Sequence, residues 1–297
     1  MTRVESPFPF TVGIKEDVVQ DDTVDVQVPP GVDPDQTNAA RLYSLLINPN
    51  EGQFLPIDVE VANQLRAAAP EIQDIAANNR IFVRRAARFF VEQDLKQILD
   101  LGSGLPADEN THEVAHAIDE SVRVVYDDHD PMTAAHADHL LAGSQNVEFL
   151  SHDVRDVDAV LNDPKTRRLI DFDQPVGIMM ASILQLFGDE VDTHGIVRRY
   201  LDAVPSGSYL ALSHFTTVGP DPARMQGLLD VMAGASEPLV FRTPEEIERY
   251  FEGMELVQPY FGSSENDLVW VNRWHATDPA RADESGAWLL AGVARKP

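Results

Sequence analysis

Three carboxylates, each at the end of a short apolar run, are the residues of this 297-residue chain whose types and spacing best suit chemistry: Asp100, Asp128 and Asp153. Residues 97–106 read QILDLGSGLP. The run suits a strand buried on both faces, and Gly102 and Gly104 let the backbone turn sharply and approach a ligand without a Cβ in the way. Asp100 then stands at the carboxyl end of the strand, where open α/β sheets bind their ligands. Residues 122–126, VRVVY, form a second strand pattern, followed by Asp127, Asp128, His129, Asp130 and Pro131. An acid about 20 residues past the glycines is placed to accept hydrogen bonds from both ribose hydroxyls, and Asp128 is the candidate. Asp130 reads instead as the cap of a helix opened by Pro131. Residues 147–150, VEFL, run into Ser151, His152 and Asp153, an acid positioned for an adenine amino group.

Together the three acids describe a site for an adenine nucleoside that also carries an α-ammonium group, which is S-adenosylmethionine. Gly102, Gly104 and Ala107 also satisfy the G-x-G-x-x-G/A spacing of dinucleotide sites. A pyrophosphate, however, is repelled by a carboxylate that an ammonium attracts. A nicotinamide site needs the second acid and gives no reason for the first and third. An NAD(P)-dependent oxidoreductase therefore stands as one competing reading. A protein that binds the nucleoside without methylating, or that transfers or cyclises the aminobutyl part of the same cofactor, stands as another.

The elements that must position these acids follow from the pattern. Residues 1–36 are rich in Pro, Asp and Val and read as an extended or loosely ordered arm. Residues 38–47, 57–68 and 71–92 read as helices, and we take 37–92 as a helical cap. From residue 93 to 297 strands alternate with helices, which implies an α/β fold of parallel strands joined by helical crossovers. Strand four falls at 176–181, ending in Ala181, and strand five at 209–213, with a helix at 193–204 between them. Thr243 and Glu246 form a capping box. Residues 268–274 and 287–294 alternate well enough for an antiparallel pair closing the sheet.

Composition limits the function classes. With 49 acidic against 23 basic side chains the net charge is −26, which opposes binding to nucleic-acid phosphates or anionic membranes. The absence of cysteine excludes disulfides and thiolate catalysis. No apolar run approaches the roughly 20 residues that span a bilayer, so a cytoplasmic protein, monomer or homodimer, acting on a small molecule is expected. No His spacing suggests a metal site.

Several segments carry a resemblance: ARLYSLL from Ala40, NNRIFVRRAARF from Asn78, ILDLGSGLPADENTHEVAH from Ile98, VVYDDHDP from Val124, DVRD from Asp153 and SGSYLALSHFT from Ser206. Over 35–297 the chain resembles the actinobacterial S-adenosylmethionine-dependent methyltransferases once called domain of unknown function 574. The resemblance implies a class I methyltransferase: a Rossmann-like, mostly parallel seven-stranded sheet with helices on both faces, an N-terminal helical cap, and bound S-adenosylmethionine. By it Asp100, Gly102 and Gly104 face the methionine part, Arg80 its carboxylate, Asp128 the ribose and Asp153 the adenine end. Ser103, His129, Val154 and Ala181 complete the cofactor set. The chain departs from the family pattern after Tyr43, where Ser44 to Asn50 replace an aspartate, a glycine pair and a lysine–aspartate, and at Gln185, where the family often has histidine.

Methyl transfer asks mainly for alignment, and for a base only if the acceptor must lose a proton. Candidate bases are His214 after strand five, His112 at the start of the helix after the glycine loop, and Tyr43 in the cap. Phe187 and Phe215 fall on the ligand side of the sheet, placed to stack on adenine, to shape an acceptor pocket, or to fill the core. The Asn/Asp-Pro-Pro-aromatic tetrad that receives an extruded base is absent, which removes support for DNA methylation.

Overall fold

Apolar runs bounded by turns pair into one eight-stranded sheet in the computed structural model, which describes residues 28–49, 54–105, 109–141, 143–264, 266–279 and 286–297. Three helices come first: α1 (Ala39–Ile47), α2 (Pro56–Ala68) and α3 (Ile72–Glu92). The sheet then begins with β1 (Gln97–Leu101), α4 (Thr111–His116), β2 (Arg123–Asp127), α5 (Pro131–Leu140) and β3 (Val147–Leu150). Two short helices, α6 (Val157–Asn162) and α7 (Pro164–Leu169), lead to β4 (Gly177–Ala181), α8 (Thr193–Asp202) and β5 (Tyr209–Phe215). The chain closes with α9 (Pro222–Met232), α10 (Pro244–Glu248), β6 (Glu255–Leu256), β7 (Val269–Trp270) and β8 (Leu289–Arg295). Helix starts are written locally: Asp130, Asp163, Asp221 and Thr243 each accept main-chain N–H bonds ahead of a proline in the first turn.

The strand order is β3-β2-β1-β4-β5-β8-β6, with β7 also paired to β8. The first five positions are parallel, and β8 runs antiparallel to β5. Eight strands replace the seven expected because the outer edge of β8 is shared end to end. Leu256 of β6 pairs with Ala294, and Val269 and Trp270 of β7 pair with Ala291 and Leu290. Gly292 lies at the junction, where a Cβ would meet Leu268 at 2.5 Å and Leu256 at 3.3 Å. The expected antiparallel pair at 268–274 and 287–294 is present, with its first strand cut to two residues. Residues 1–27 of the expected arm lie outside the described residues.

Two cores flank the sheet. One packs α1 to α5 and α9 against alternate strand residues such as Ile98, Val124, Met179 and Ala211. The other packs α6, α7, α8 and α10 against Leu99, Val125, Ile178 and Leu212. Strand alternation thus decides which side chains face the cap. Arg41 fixes α1 in place from within the protein. Its Nε lies 2.9 Å from Asp58 Oδ2 of α2 and its Nη1 3.3 Å from Asp130 Oδ2, the cap of α5, with all three side chains almost fully buried. Removing one partner of such a group leaves an uncompensated buried charge. Among the described residues no helix is long and apolar enough to cross a membrane.

Candidate functional site

The order β2-β1-β4-β5 reverses direction of construction between β1 and β4, and the crevice opens there, beyond the carboxyl ends of the strands. Gly102 turns out of β1 at φ +67°, and an added Cβ would strike Ile183 after β4 at 2.5 Å. Gly104, also at φ +67°, has nothing within 4 Å of where its Cβ would sit, so it faces open space. Main-chain bonds tie this turn to the end of β2. The N–H groups of Gly102 and Ser103 donate to Asp127 O at 2.8 and 3.1 Å, and Gly104 N–H donates to Asp128 Oδ2 at 2.8 Å. Asp130 N–H donates to Asp128 Oδ1 at 3.0 Å. Asp128 therefore shapes the glycine turn as well as facing the crevice.

Two adjoining cavities of about 130 Å³ each fill the crevice. Arg80, Asp100, Gly102, Ser103, Gly104, Asp128, His129 and Ala181 line the first; Asp153 and Val154 line the second with Phe187. Gly102, Asp128, His129, Ile183, Leu186 and Glu237 belong to both, which makes the two one cleft. All ten sequence-predicted cofactor residues are thus brought together. Asp100 points to the cap side of the sheet and accepts a 2.6 Å hydrogen bond from Thr111 Oγ1. Burial pushes its carboxyl up to about 6, against the pull of Thr111 and Arg80. Arg80 Nη2 donates to Asn110 Oδ1 at 3.2 Å. At the other end Arg155 Nε donates to both oxygens of Asp153 at 2.9 Å and holds that carboxyl below its ordinary range.

These residues fit S-adenosylmethionine. Burial raises the Asp100 carboxyl, and an ammonium group beside it would stabilise its anion, Gly104 leaves room for a ligand, and Asp128 and Asp153 present acceptors in the adjoining part of the cleft.

The three candidate bases fare differently. Tyr43 lines the first cavity; its hydroxyl donates to Ala76 O at 3.2 Å and accepts from Asn79 Nδ2 at 3.1 Å. Burial raises its pKa, which opposes service as a base. His112 sits in a small pocket behind Asp100, with Nδ1 2.8 Å from Tyr126 Oη. Burial lowers its pKa. His214 lines none of these cavities. Strand β5 extends two residues beyond the expected end, so His214 is a strand residue paired with Leu290, rather than a loop residue after the strand. Alternation turns its ring away from the cap. It stacks on Tyr250, its Nδ1–H donates to Phe215 O at 2.7 Å, and its Nε2 accepts from Arg242 Nη1 at 2.7 Å. Burial drives its pKa down to about 3.

Sequence reading missed Asn79, Ser182, Ile183 and Glu237. Asn79 Oδ1 accepts from Ser213 Oγ at 2.6 Å, and Ser213 Oγ lies 3.3 Å from Ser182 Oγ, a polar chain from the cap to the strand ends. Ser182, at φ +58°, is the signal that a serine in a turn conceals. Glu237 is 108 residues from its partner: its Oε1 is 3.4 Å from His129 Nε2, and it also accepts from Asn38 Nδ2 (3.1 Å) and Ala39 N–H (3.2 Å) at the start of α1. Asp127, passed over for Asp128, is fully buried with Oδ2 lacking a hydrogen bond among the described residues, and burial pushes its carboxyl up to about 8.

Residues 25–297 match the S-adenosyl methyltransferase family. The chain belongs to that family. A structure from Thermobifida fusca YX, assigned provisionally as a methyltransferase, is 36% identical, covers 91% of this chain and 99% of its own, and superposes with a TM-score of 0.82. A domain of unknown function 574 family protein from Streptomyces avermitilis MA-4680 is 31% identical, covers 88% of this chain and 98% of its own, with a TM-score of 0.81. No curated protein matches the chain. The family resemblance read from the sequence is borne out: this is an S-adenosylmethionine-dependent methyltransferase of Rossmann-like fold, and S-adenosylmethionine is its cofactor. The methyltransferase assignment gives no support to an oxidoreductase or to a nucleoside-binding protein without methyl transfer.

Proposed function

We propose that this methyltransferase acts on a small-molecule acceptor and that the chain contributes alignment rather than a general base. In this reading Asp100, Gly102, Ser103 and Gly104 hold the methionine part with Arg80 on its carboxylate, Asp128 and His129 hold the ribose, Asp153 and Val154 border the adenine, and Ala181 lines the floor. The observation that carries it is the convergence of all ten residues on one cleft at the reversal point of the sheet. The bound cofactor supplies a methyl group already activated on a sulfonium. What remains for the protein is to hold the acceptor in line and keep water away. Tyr43 and Asn79, hydrogen-bonded to each other where the cap meets the cleft, are the orienting pair.

The net charge of −26 supports a small acceptor over nucleic acid. We also propose the division into an arm (1–36), a cap (37–92) and a cofactor-binding domain (93–297), with α3 belonging to the cap by sequence and to the sheet by packing. A cytoplasmic monomer or homodimer completes the reading.

Calorimetric titration with S-adenosylmethionine and S-adenosylhomocysteine, with NADH and NADPH as controls, tests it. Asp128→Ala is expected to weaken the sulfur nucleosides about a hundredfold, or ~2.7 kcal/mol, as loss of charge-assisted hydrogen bonds should. Binding of a nicotinamide cofactor alone would overturn the assignment of the cleft.

A further inference from the structure

A third cavity, of about 90 Å³, lies between the cap, α9 and the ends of β5 and β8. It joins the cofactor cleft through Ala39, Tyr43, Asn79, Gln185 and Leu186, which line both. Beyond that neck the walls are apolar, with Leu46 from α1, Ile75 from α3, Phe215 from β5, Met232 from α9 and Leu239 from the loop after it. No Asp, Glu, Lys, Arg or His lines the cavity.

We propose that this cavity is the acceptor site and that the acceptor is an uncharged, predominantly apolar small molecule whose polar end is held at the neck. The proposal rests on the cofactor reading of the adjoining cleft and names the class of molecule that reading leaves open. Two arguments carry it. A charged acceptor would lose its hydration in the cavity and gain no counter-charge, a cost no wall residue offsets. The neck, by contrast, offers oriented polar groups. Gln185 Oε1 is occupied by Phe215 N–H at 3.0 Å, while Gln185 Nε2 makes no hydrogen bond among the described residues and is left to donate to an incoming oxygen or nitrogen. Asn79 is held by Tyr43 and Ser213, so its carboxamide is fixed in orientation. Apolar walls with a few convergent polar groups are the usual construction of small-molecule sites.

The cavity itself offers the acceptor no base, which narrows the class further. The cavity contains no histidine, the Tyr43 hydroxyl is held neutral by burial, and His129, in the cleft, is kept protonated by Glu237. The acceptor atom must therefore arrive uncharged with its lone pair available, as in an aromatic amine, whose nitrogen takes the methyl as the bond to sulfur breaks and then releases its proton to solvent.

The test is calorimetric titration of the S-adenosylhomocysteine complex at pH 7 with 4-ethylphenol and 4-ethylaniline, and with 4-ethylbenzoate and 4-ethylbenzylammonium as charged counterparts. The uncharged pair should bind saturably and the charged pair at least about tenfold more weakly. Leu239→Trp, which fills the cavity from a half-buried position that lines neither part of the cofactor cleft, should weaken the uncharged pair about tenfold or more. S-adenosylhomocysteine affinity, measured separately on both proteins, should hold. Charged probes binding as well as or better than uncharged ones, no saturable binding of either uncharged probe, or binding indifferent to a folded Leu239→Trp variant would each overturn the proposal. Failure of S-adenosylhomocysteine itself to bind would instead overturn the reading of the cleft. The wild-type comparison of charged with uncharged probes stands even if the tryptophan variant does not fold.

Discussion

Acids fixed by main-chain N–H groups line the cleft at the strand ends, whereas the cavity beside it is walled by leucine, isoleucine and methionine from helices. In the cleft, the acids after β2 are placed by turns, Asp128 by Gly104 and Asp130 and Asp127 by the N–H of His152, and Asp100 by the hydroxyl of Thr111. In the cavity, shape comes from the packing of α1, α3 and α9, and only the neck is polar. Rigid polar geometry suits a cofactor that is always the same molecule, while apolar packing gives selectivity by volume and by exclusion of charge.

The sharpest break should come at Gly102. Gly102→Ala forces an L-residue to φ +67° and drives a Cβ against Ile183, so it should lower stability by about 1–3 kcal/mol and take S-adenosylhomocysteine binding below detection. Gly104→Ala, at the same φ with no neighbour within 4 Å, is the control that isolates backbone strain from the clash.

An effect visible only across pH, and not on cofactor binding, is expected at Asp127. Its folded carboxyl titrates near 8 and an unfolded one near 3.8, so the folded state retains a proton that the unfolded state has released. Stability should therefore fall as pH rises from about 4 towards 8. Asp127→Asn, the isostere of the protonated form, should flatten that dependence. Thermal melts at pH 5 and pH 8 measure it, and an unchanged slope would show that the carboxyl ionises freely.

The smallest effect belongs to the contact that joins the cleft to the cap. Glu237 raises the pKa of His129 to about 9, so the stabilisation from this pair is complete below the ordinary histidine value of 6.5 and is lost as pH rises through 9. His129→Ala should lower the melting temperature at pH 6 and leave it nearly unchanged at pH 10. Because the histidine side chain is half exposed, added salt should shrink the difference.

The cleft was legible in the sequence because its parts lie within short strand-to-turn stretches, where an acid beside two glycines already implies a direction and a charge. The cap helices were equally readable, expected at 38–47, 57–68 and 71–92 and found at Ala39–Ile47, Pro56–Ala68 and Ile72–Glu92, although Asn38 proved to be the N-cap of the first and not part of it. What escaped depends on partners far along the chain. Glu237 meets His129, and Leu46, Met232 and Leu289 meet in one cavity, through packing that no local pattern records. His214 was misplaced for a local reason: two more residues of β5 move it from a loop into a ladder, and one step of alternation turns it to the far face.

Helix α3 ties these regions together mechanically. Asn79 and Arg80 border the cleft near one end, while Phe90 presses on β4 near the other, so closely that a Cβ on Gly177 would meet its ring at 2.5 Å. Ten residues of helix, about 15 Å, separate Arg80 from Phe90. The helix thus carries residues of the cleft and, two to three turns on, a ring seated on a glycine of the sheet. One methyl group added at Gly177 would push on the helix that carries Asn79 and Arg80 without touching the cleft.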